Sequence, residues 1–315
     1  MSVDAGTPAR ADFRYRLAFS QPLDSPNFVR LREMADKVRA ETNGRMLIEL
    51  HGAGALGSDN AMLAMLQSNE LEMYLGGNVF GPLVPMTEMP GLPFTFKSSA
   101  EVFAALDGEL GEHIRSEMLA KGLYAFRRWF DNGFHHLTTR TRPIRTVDDL
   151  AGMTIRTPVQ TMTADFFETL GAKSIKCPLN QLYQVLQNHT ADGQTDPLGL
   201  IVLMKLYEVQ TYLSLTGHWW SGFTLVANRA AWEALPPDLR AIIGKHAEDA
   251  ALAQRQDIDG LNADALETLR AKGMILNEAD TSGFRKPLAA FYARWRNVYG
   301  AKAWGLLEAR VGKLV

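Results

Sequence analysis

The sequence has little of what most enzymes and nucleic-acid binders need. It has one cysteine, Cys177, in 315 residues. That excludes an internal disulfide framework and any cysteine-based zinc cluster. Lys and Arg total 33 against 35 Asp and Glu, a net charge of −2. No basic field points to nucleic acid or an anionic membrane. No apolar run reaches ~18 residues, so no segment reads as membrane-spanning. There is no G-x-S-x-G elbow, no phosphate-binding P-loop and no H-E-x-x-H. His51, His113, His135, His136, His189, His218 and His246 show no metal spacing. Residues 1–12 contain no apolar stretch and do not read as a signal peptide. A cytosolic protein and a mature chain whose leader has been removed both remain open.

What is present is an ordinary globular composition, 46% hydrophobic and 22% charged. The length suggests about two domains, with cores large enough to fold without staples. Phe13, Tyr15, Leu17 and Phe19 alternate as a strand should. Ser25 and Pro26 suit the start of a helix carrying Phe28, Leu31, Ala35 and Val38. Strands follow at Met46–Leu50 and Met73–Leu75, with a helix from Ser58 between them. Ser98 and Glu101 have capping-box spacing. This βαβα order defines an α/β protein. Further strands are expected at 123–130 and 134–139, split by Asp131-Asn132-Gly133. Others are expected at 153–156, 172–176 and 212–216, with 223–226 the last. Residues 238–272 read as one helix of about 50 Å, long enough to cross two domains. The α/β units therefore look interleaved.

Several motifs could carry function. Gly52, Gly54 and Gly57 match G-x-G-x-x-G, the fingerprint of an NAD-dependent oxidoreductase, but His51 and Glu49 interrupt the feeding strand. A plain Gly-rich turn is the preferred reading. Cys177 beside Lys176 could be an activated thiol, but Cys177-Pro178 ending an apolar strand favours an inert buried one. Arg156 ends a short strand before Thr157-Pro158. Ligands in open α/β sheets bind beyond such strand ends, and a guanidinium there can fork onto a carboxylate. An interdomain ion pair is an equal alternative. Residues 191–197 read as a second candidate or as a strand-to-helix loop. Trp219 and Trp220 lie between glycines. On a strand one would face the core and the other a cleft.

Taken in order, these segments resemble a known family. Thr42-Asn43-Gly44-Arg45, Leu56-Gly57-Ser58, Leu92-Pro93-Phe94-Thr95-Phe96, Arg142-Pro143-Ile144, the run from Asp148 to Pro158, Asp192-Gly193-Gln194 and Leu215-Thr216-Gly217-His218 carry the likeness. The chain is similar to substrate-binding proteins of the tripartite ATP-independent periplasmic (TRAP) transporters over about 13–299. The resemblance implies a two-lobed periplasmic-binding-protein fold with a cleft between the lobes and a long helix crossing both. It implies lobe I at 12–133 plus about 222–250, and lobe II at 134–221 plus about 251–315. It implies a non-catalytic protein that captures an organic acid in the periplasm and delivers it to membrane permease subunits. No cofactor, metal, nucleic acid or membrane insertion is expected. A sensor domain of the same fold is an alternative.

The resemblance also implies a site, with departures. Arg156 matches the family's carboxylate-binding arginine. His135 stands where a second arginine is common, and Asp196 where an asparagine is common. One firm cation, a titratable imidazole and a carboxylate would replace two cations and an amide. A buried carboxylate needs a partner, so Asp196 should meet His135, Arg156 or a ligand donor. With Trp219, Trp220 and Phe94 nearby in the pattern, the expected ligand is a monocarboxylate with an aromatic or apolar body. Gln21 and Asn78 would add hydrogen bonds from lobe I.

Overall fold

The computed structural model describes residues 11–314, with the side chain of Asn78 outside that description. Among the described residues there are ten strands: β1 Phe13–Phe19, β2 Met46–His51, β3 Met73–Gly76, β4 Leu123–Thr139, β5 Thr154–Thr157, β6 Lys173–Lys176, β7 Gly193–Pro197, β8 Tyr212–Leu215, β9 Trp220–Asn228 and β10 Ile275–Glu278. Their order is β2-β1-β3-β9-β4-β7-β5-β6, with β8 and β10 branching from β4. β1 pairs parallel with β2 and β3, and β5 pairs parallel with β6 and β7. The antiparallel strands β4 and β9 join these two parallel groups.

β4 is the shared element. Its first part, to Phe134, pairs with β9, and its last part pairs with β7 and β8. The expected break at Asp131-Asn132-Gly133 is instead a bulge within one 17-residue strand. Gly133 is at φ +112°, and a Cβ there would lie 2.6 Å from the Asn262 amide. The turn signal is overridden because both flanks have strand partners, while Gln254 serves the bulge. Its Oε1 accepts from Asp131 N and its Nε2 donates to Asp131 O, both at 2.8 Å. β10, missed in the sequence, pairs parallel with β8. The 191–197 segment, read as a candidate loop, contains the buried strand β7.

Helix Pro26–Glu41 starts as expected, with Ser25 Oγ accepting from Phe28 N. The long helix spans Pro237–Ala271. Its Leu239, Ile243, Ala247 and Ala251 join a core built on β1 and helix Pro26–Glu41. Its Ala265 and Leu269 join a separate core with Leu182, Ile201 and Leu213. One helix thus enters the cores of both halves. The sequence-based boundary puts 251–315 with lobe II, but helix Ala301–Val311 packs against helices Ser99–Leu106 and Glu109–Ala120 of the first half. Among the described residues, no helix is long and apolar enough to cross a membrane.

Candidate ligand-binding site

The sheet brings several strand ends to one cleft. It encloses about 690 Å³ of empty space, its open mouth included. Gln21 arrives just beyond β1, and Arg156 and Asp196 come from β5 and β7. His135 comes from β4, just past the bulge, and Trp219 immediately precedes β9. These five expected residues converge. Two others do not, or are not described. Phe94 is absent from the wall. It sits at φ +54°, its N–H donates to His218 O at 2.7 Å, and Arg285 lies 4.1 Å over its ring. That local bond and the cation hold the ring away from the cleft. Asn78 opens the short 3-10 helix Asn78–Phe80, but its side chain lies outside the described residues.

Arg156 is buried and rigidly held. Its Nε and one terminal nitrogen donate to Cys177 O at 3.0 and 2.7 Å, and the other terminal nitrogen donates to Asp196 Oδ2 at 3.2 Å. A guanidinium has five N–H groups. Among the described residues, one N–H on each terminal nitrogen therefore lacks a protein acceptor. Such a pair fits a carboxylate bidentately. Asp196 thus meets Arg156 and not His135, and its Oδ1 takes no protein donor among the described residues. Burial pushes the Asp196 carboxyl up to about 6 against the pull of Arg156. Cys177 contributes its carbonyl, and burial raises its thiol despite Arg156. The thiol itself is buried and free.

His135 is not the expected titratable cation. Burial holds it well below its ordinary value; a hydrogen bond to the Thr195 backbone opposes this, and His136 and Arg156 lower it further. It is a neutral hydrogen-bonding group, with Nδ1 3.1 Å from Thr195 Oγ1 and Nε2 2.7 Å from Ser221 Oγ. Trp220 turns into the core, where its Nε1 donates to Asp131 Oδ1 at 2.7 Å. Only Trp219 of the adjacent pair reaches the cleft. Two of the three rings that suggested an aromatic ligand therefore do not face it. Sequence reasoning missed Ser20, Asp59, Asn132 and Gln160, which line the cleft together with Ser221 of the 217–222 motif. Ser20 and Asn132 carried a signal, since they neighbour a strand end and a glycine-marked bulge. Among the described residues, no three His, Cys, Asp or Glu side chains are grouped to hold a metal.

The Gly52–Gly57 segment is a turn without a phosphate cradle. Four of its six N–H groups are occupied: Ala53 donates to Gln21 O, Gly54 to Phe19 O, Ala55 to Gly52 O and Gly57 to Gly54 O. The helix that follows opens on Ser58 and the acidic Asp59, a poor receptor for pyrophosphate. Gly52 is needed for packing, since a Cβ there would meet the Phe19 ring and Leu23 at 2.7 Å.

A cleft at converging strand ends, with a fixed guanidinium in one wall, has the chemistry to receive a carboxylate. The chain belongs to the bacterial extracellular solute-binding proteins, family 7, whose model matches residues 18–297. These are the substrate-binding proteins of TRAP transporters. The chain is 35% identical to an uncharacterized protein, y4mM, of Sinorhizobium fredii, over 93% of this chain and 54% of that one. It thus spans about half the length of that relative. A TRAP periplasmic solute-binding protein from Polaromonas, solved with D-erythronate, is 29% identical with a TM-score of 0.89, covering 94% of this chain and 98% of that one. The sugar acid binding protein of Advenella mimigardefordensis, solved with galactonate, is 28% identical with a TM-score of 0.90, covering 94% and 97%.

The Asp196 carboxyl predicts how binding depends on pH. Its folded-state value lies above the ordinary one, so its contribution to stability is full below ~4 and is lost as pH rises through about 6. An anionic ligand beside it raises its proton affinity further, so binding takes up a proton. For a further rise of one pKa unit, affinity for an acid ionised throughout should tighten about fivefold from pH ~8 to ~6 and approach tenfold, the ~1.4 kcal/mol of that unit, only below pH ~5. Asp131, up to about 6, and Glu88, up to about 7, titrate in the same window. Asp196→Asn separates them: calorimetric titration of the variant should show a flat profile and better binding of compact dicarboxylates. An unchanged slope would assign the effect to the other two.

Proposed function

We propose that this protein captures a hydroxylated organic monocarboxylate in the periplasm, leaves it chemically unchanged, and delivers it to TRAP permease subunits. The observation that carries this reading is the Arg156–Asp196 pair. It presents two unused N–H groups for the ligand carboxylate and an unused carboxylate oxygen for a ligand hydroxyl. Asp59 and Gln160 add polar groups to the same wall. An Arg156 already shared with Asp196 cannot neutralise a compact dianion as well. The D-erythronate and galactonate bound by the two solved proteins above support a polyhydroxy acid. Closure would rotate lobe I, residues 12–133 and about 222–250 together with helix Ala301–Val311, against lobe II. The Asp131–Gly133 bulge and residues 217–222 would serve as hinges, and a ligand touching both lobes would favour the closed state. Trp219 and Phe223 keep an aryl or indolyl acid as the second reading.

A thermal-shift screen tests this. At ~100 times its dissociation constant a ligand stabilises by ~2.7 kcal/mol, enough to move the midpoint several degrees. D-galactonate and D-erythronate should shift it, and succinate should not. A shift confined to phenyl and indolyl acids would replace the main reading with the second. A shift with succinate alone would defeat both.

A further inference from the structure

Behind Ser221 a single file of hydrogen bonds runs into the core. Thr216 Oγ1 lies 2.7 Å from His218 Nδ1, and His218 Nε2 lies 2.9 Å from Thr195 Oγ1. Thr195 Oγ1 then meets His135 Nδ1, and His135 Nε2 meets Ser221 Oγ. Asn132 Nδ2 also donates to Ser221 Oγ, at 3.0 Å. His218 is enclosed by Phe166, Phe167 and Trp219, and His135 is as fully buried. Both rings are therefore neutral, and each carries one proton and one lone pair.

Three proton arrangements make every bond of this file: all inward, all outward, or both rings donating to Thr195 Oγ1, which leaves the Thr195 proton without an acceptor among the described residues. In the inward direction Ser221 donates to His135, Thr195 to His218, and His218 Nδ1 to Thr216. The Thr216 hydroxyl proton is then left without an acceptor, because among the described residues Thr216 Oγ1 has no hydrogen-bond partner, side-chain or backbone, but His218. Leaving a buried donor unsatisfied is costly. In the outward direction Thr216 donates to His218 Nδ1, His218 Nε2 to Thr195, Thr195 to His135 Nδ1, and His135 Nε2 to Ser221. Every buried group is then satisfied. Ser221 Oγ receives two donors, from His135 and Asn132, which fill both its lone pairs. Its own proton has nowhere to go but the cleft.

We propose that Thr216, His218, Thr195 and His135 form an outward-directed relay that makes Ser221 a dedicated hydrogen-bond donor to the ligand, one that selects an acceptor oxygen there. Ser221 is then a specificity-determining contact, and the four residues behind it are positioning residues. The relay supplies a directed neutral donor at the position where relatives of this chain were expected to place a second cation. Only this last step, contact with the ligand, rests on the reading of the site as a receptor for a hydroxy acid.

The test is the tautomeric state of the two rings, read by two-bond 15N–1H correlation on ligand-free protein labelled at histidine, with His135→Gln and His218→Gln for assignment. Both rings should be neutral and protonated at Nε2 at pH ~7. Thr216→Ser should keep this pattern, and Thr216→Val should lose it. A ring protonated at Nδ1, or charged, would overturn the proposal. Ser221→Ala, with tautomers unchanged, should weaken D-galactonate binding about tenfold. Wild-type affinity in that variant would overturn the donor role. Because the tautomers are read without ligand, a failure of the relay is distinct from a failure of D-galactonate as ligand.

Discussion

Arg156→Ala should abolish useful affinity for the acid while the protein stays folded. Truncating one member of a buried, hydrogen-bonded charge pair costs about 2–5 kcal/mol, or roughly thirty-fold to several thousand-fold in the dissociation constant. The guanidinium has three tasks at once. It holds the Cys177 carbonyl and Asp196, and it lines the cleft with two N–H groups that lack a protein acceptor among the described residues. Arg156→Lys keeps the charge, but a single ammonium cannot reproduce that planar fork, so it should recover only part of the loss. A competing cause must be separated. Removing Arg156 leaves Asp196 buried without its partner, and its charge alone could repel an anion. The double variant Arg156→Ala with Asp196→Asn removes that repulsion. If Arg156 contacts the carboxylate, the double variant should bind no better than about tenfold above the single one. Return to near wild-type affinity by titration calorimetry would show that Arg156 only shields Asp196.

How much of this was legible in the sequence follows from how local each feature is. β1, helix Pro26–Glu41 and the helix from Asp59 to Gln67 are set by alternation and by Ser caps acting within three residues. Those signals survive without a partner. The convergence of Gln21, Arg156 and Trp219 was legible because strand ends face the cleft in this class of sheet. The β4 bulge was not. Its Asp-Asn-Gly reads as a turn, and only Gln254, 123 residues away, supplies the missing backbone partners. The charge state of His135 was hidden in the same way. Nothing in its neighbours along the chain shows that it is sealed under β7 and β9 beside Thr195 and Ser221. Phe94 looked like a wall of the cleft because its motif is prominent. Its left-handed backbone and the bond to His218 O tie it to structure instead.

The largest loss of stability outside the cleft should come from Arg255→Ala. Arg255 lies in the middle of the long helix, where the helix leaves one core for the other. Its Nε donates to Trp129 O at 2.8 Å, and its terminal nitrogens hold both oxygens of Asp107 at 2.8 and 3.0 Å. Its guanidinium carbon sits 3.6 Å over the Phe103 ring, which packs edge-on against Trp220. Trp220 in turn donates to Asp131 at the bulge. One side chain therefore ties the helix to the strand that both lobes share. Breaking a largely buried ion pair by removing one partner costs about 3–5 kcal/mol. The midpoint of urea unfolding should fall accordingly with little change in slope. Burial alone would raise the Asp107 carboxyl, but Arg255 and then Arg128 hold it below its ordinary value. Its contribution is therefore present above ~4 and is lost as pH falls through the depressed folded-state value. The gap between wild type and variant should close on acidification in that range. Affinity for the acid should stay within about threefold, well under ~1.4 kcal/mol, because Arg255 does not line the cleft. A variant as stable as wild type, or one that is stable but has lost binding, would show that this crossing is not where the two halves are held together.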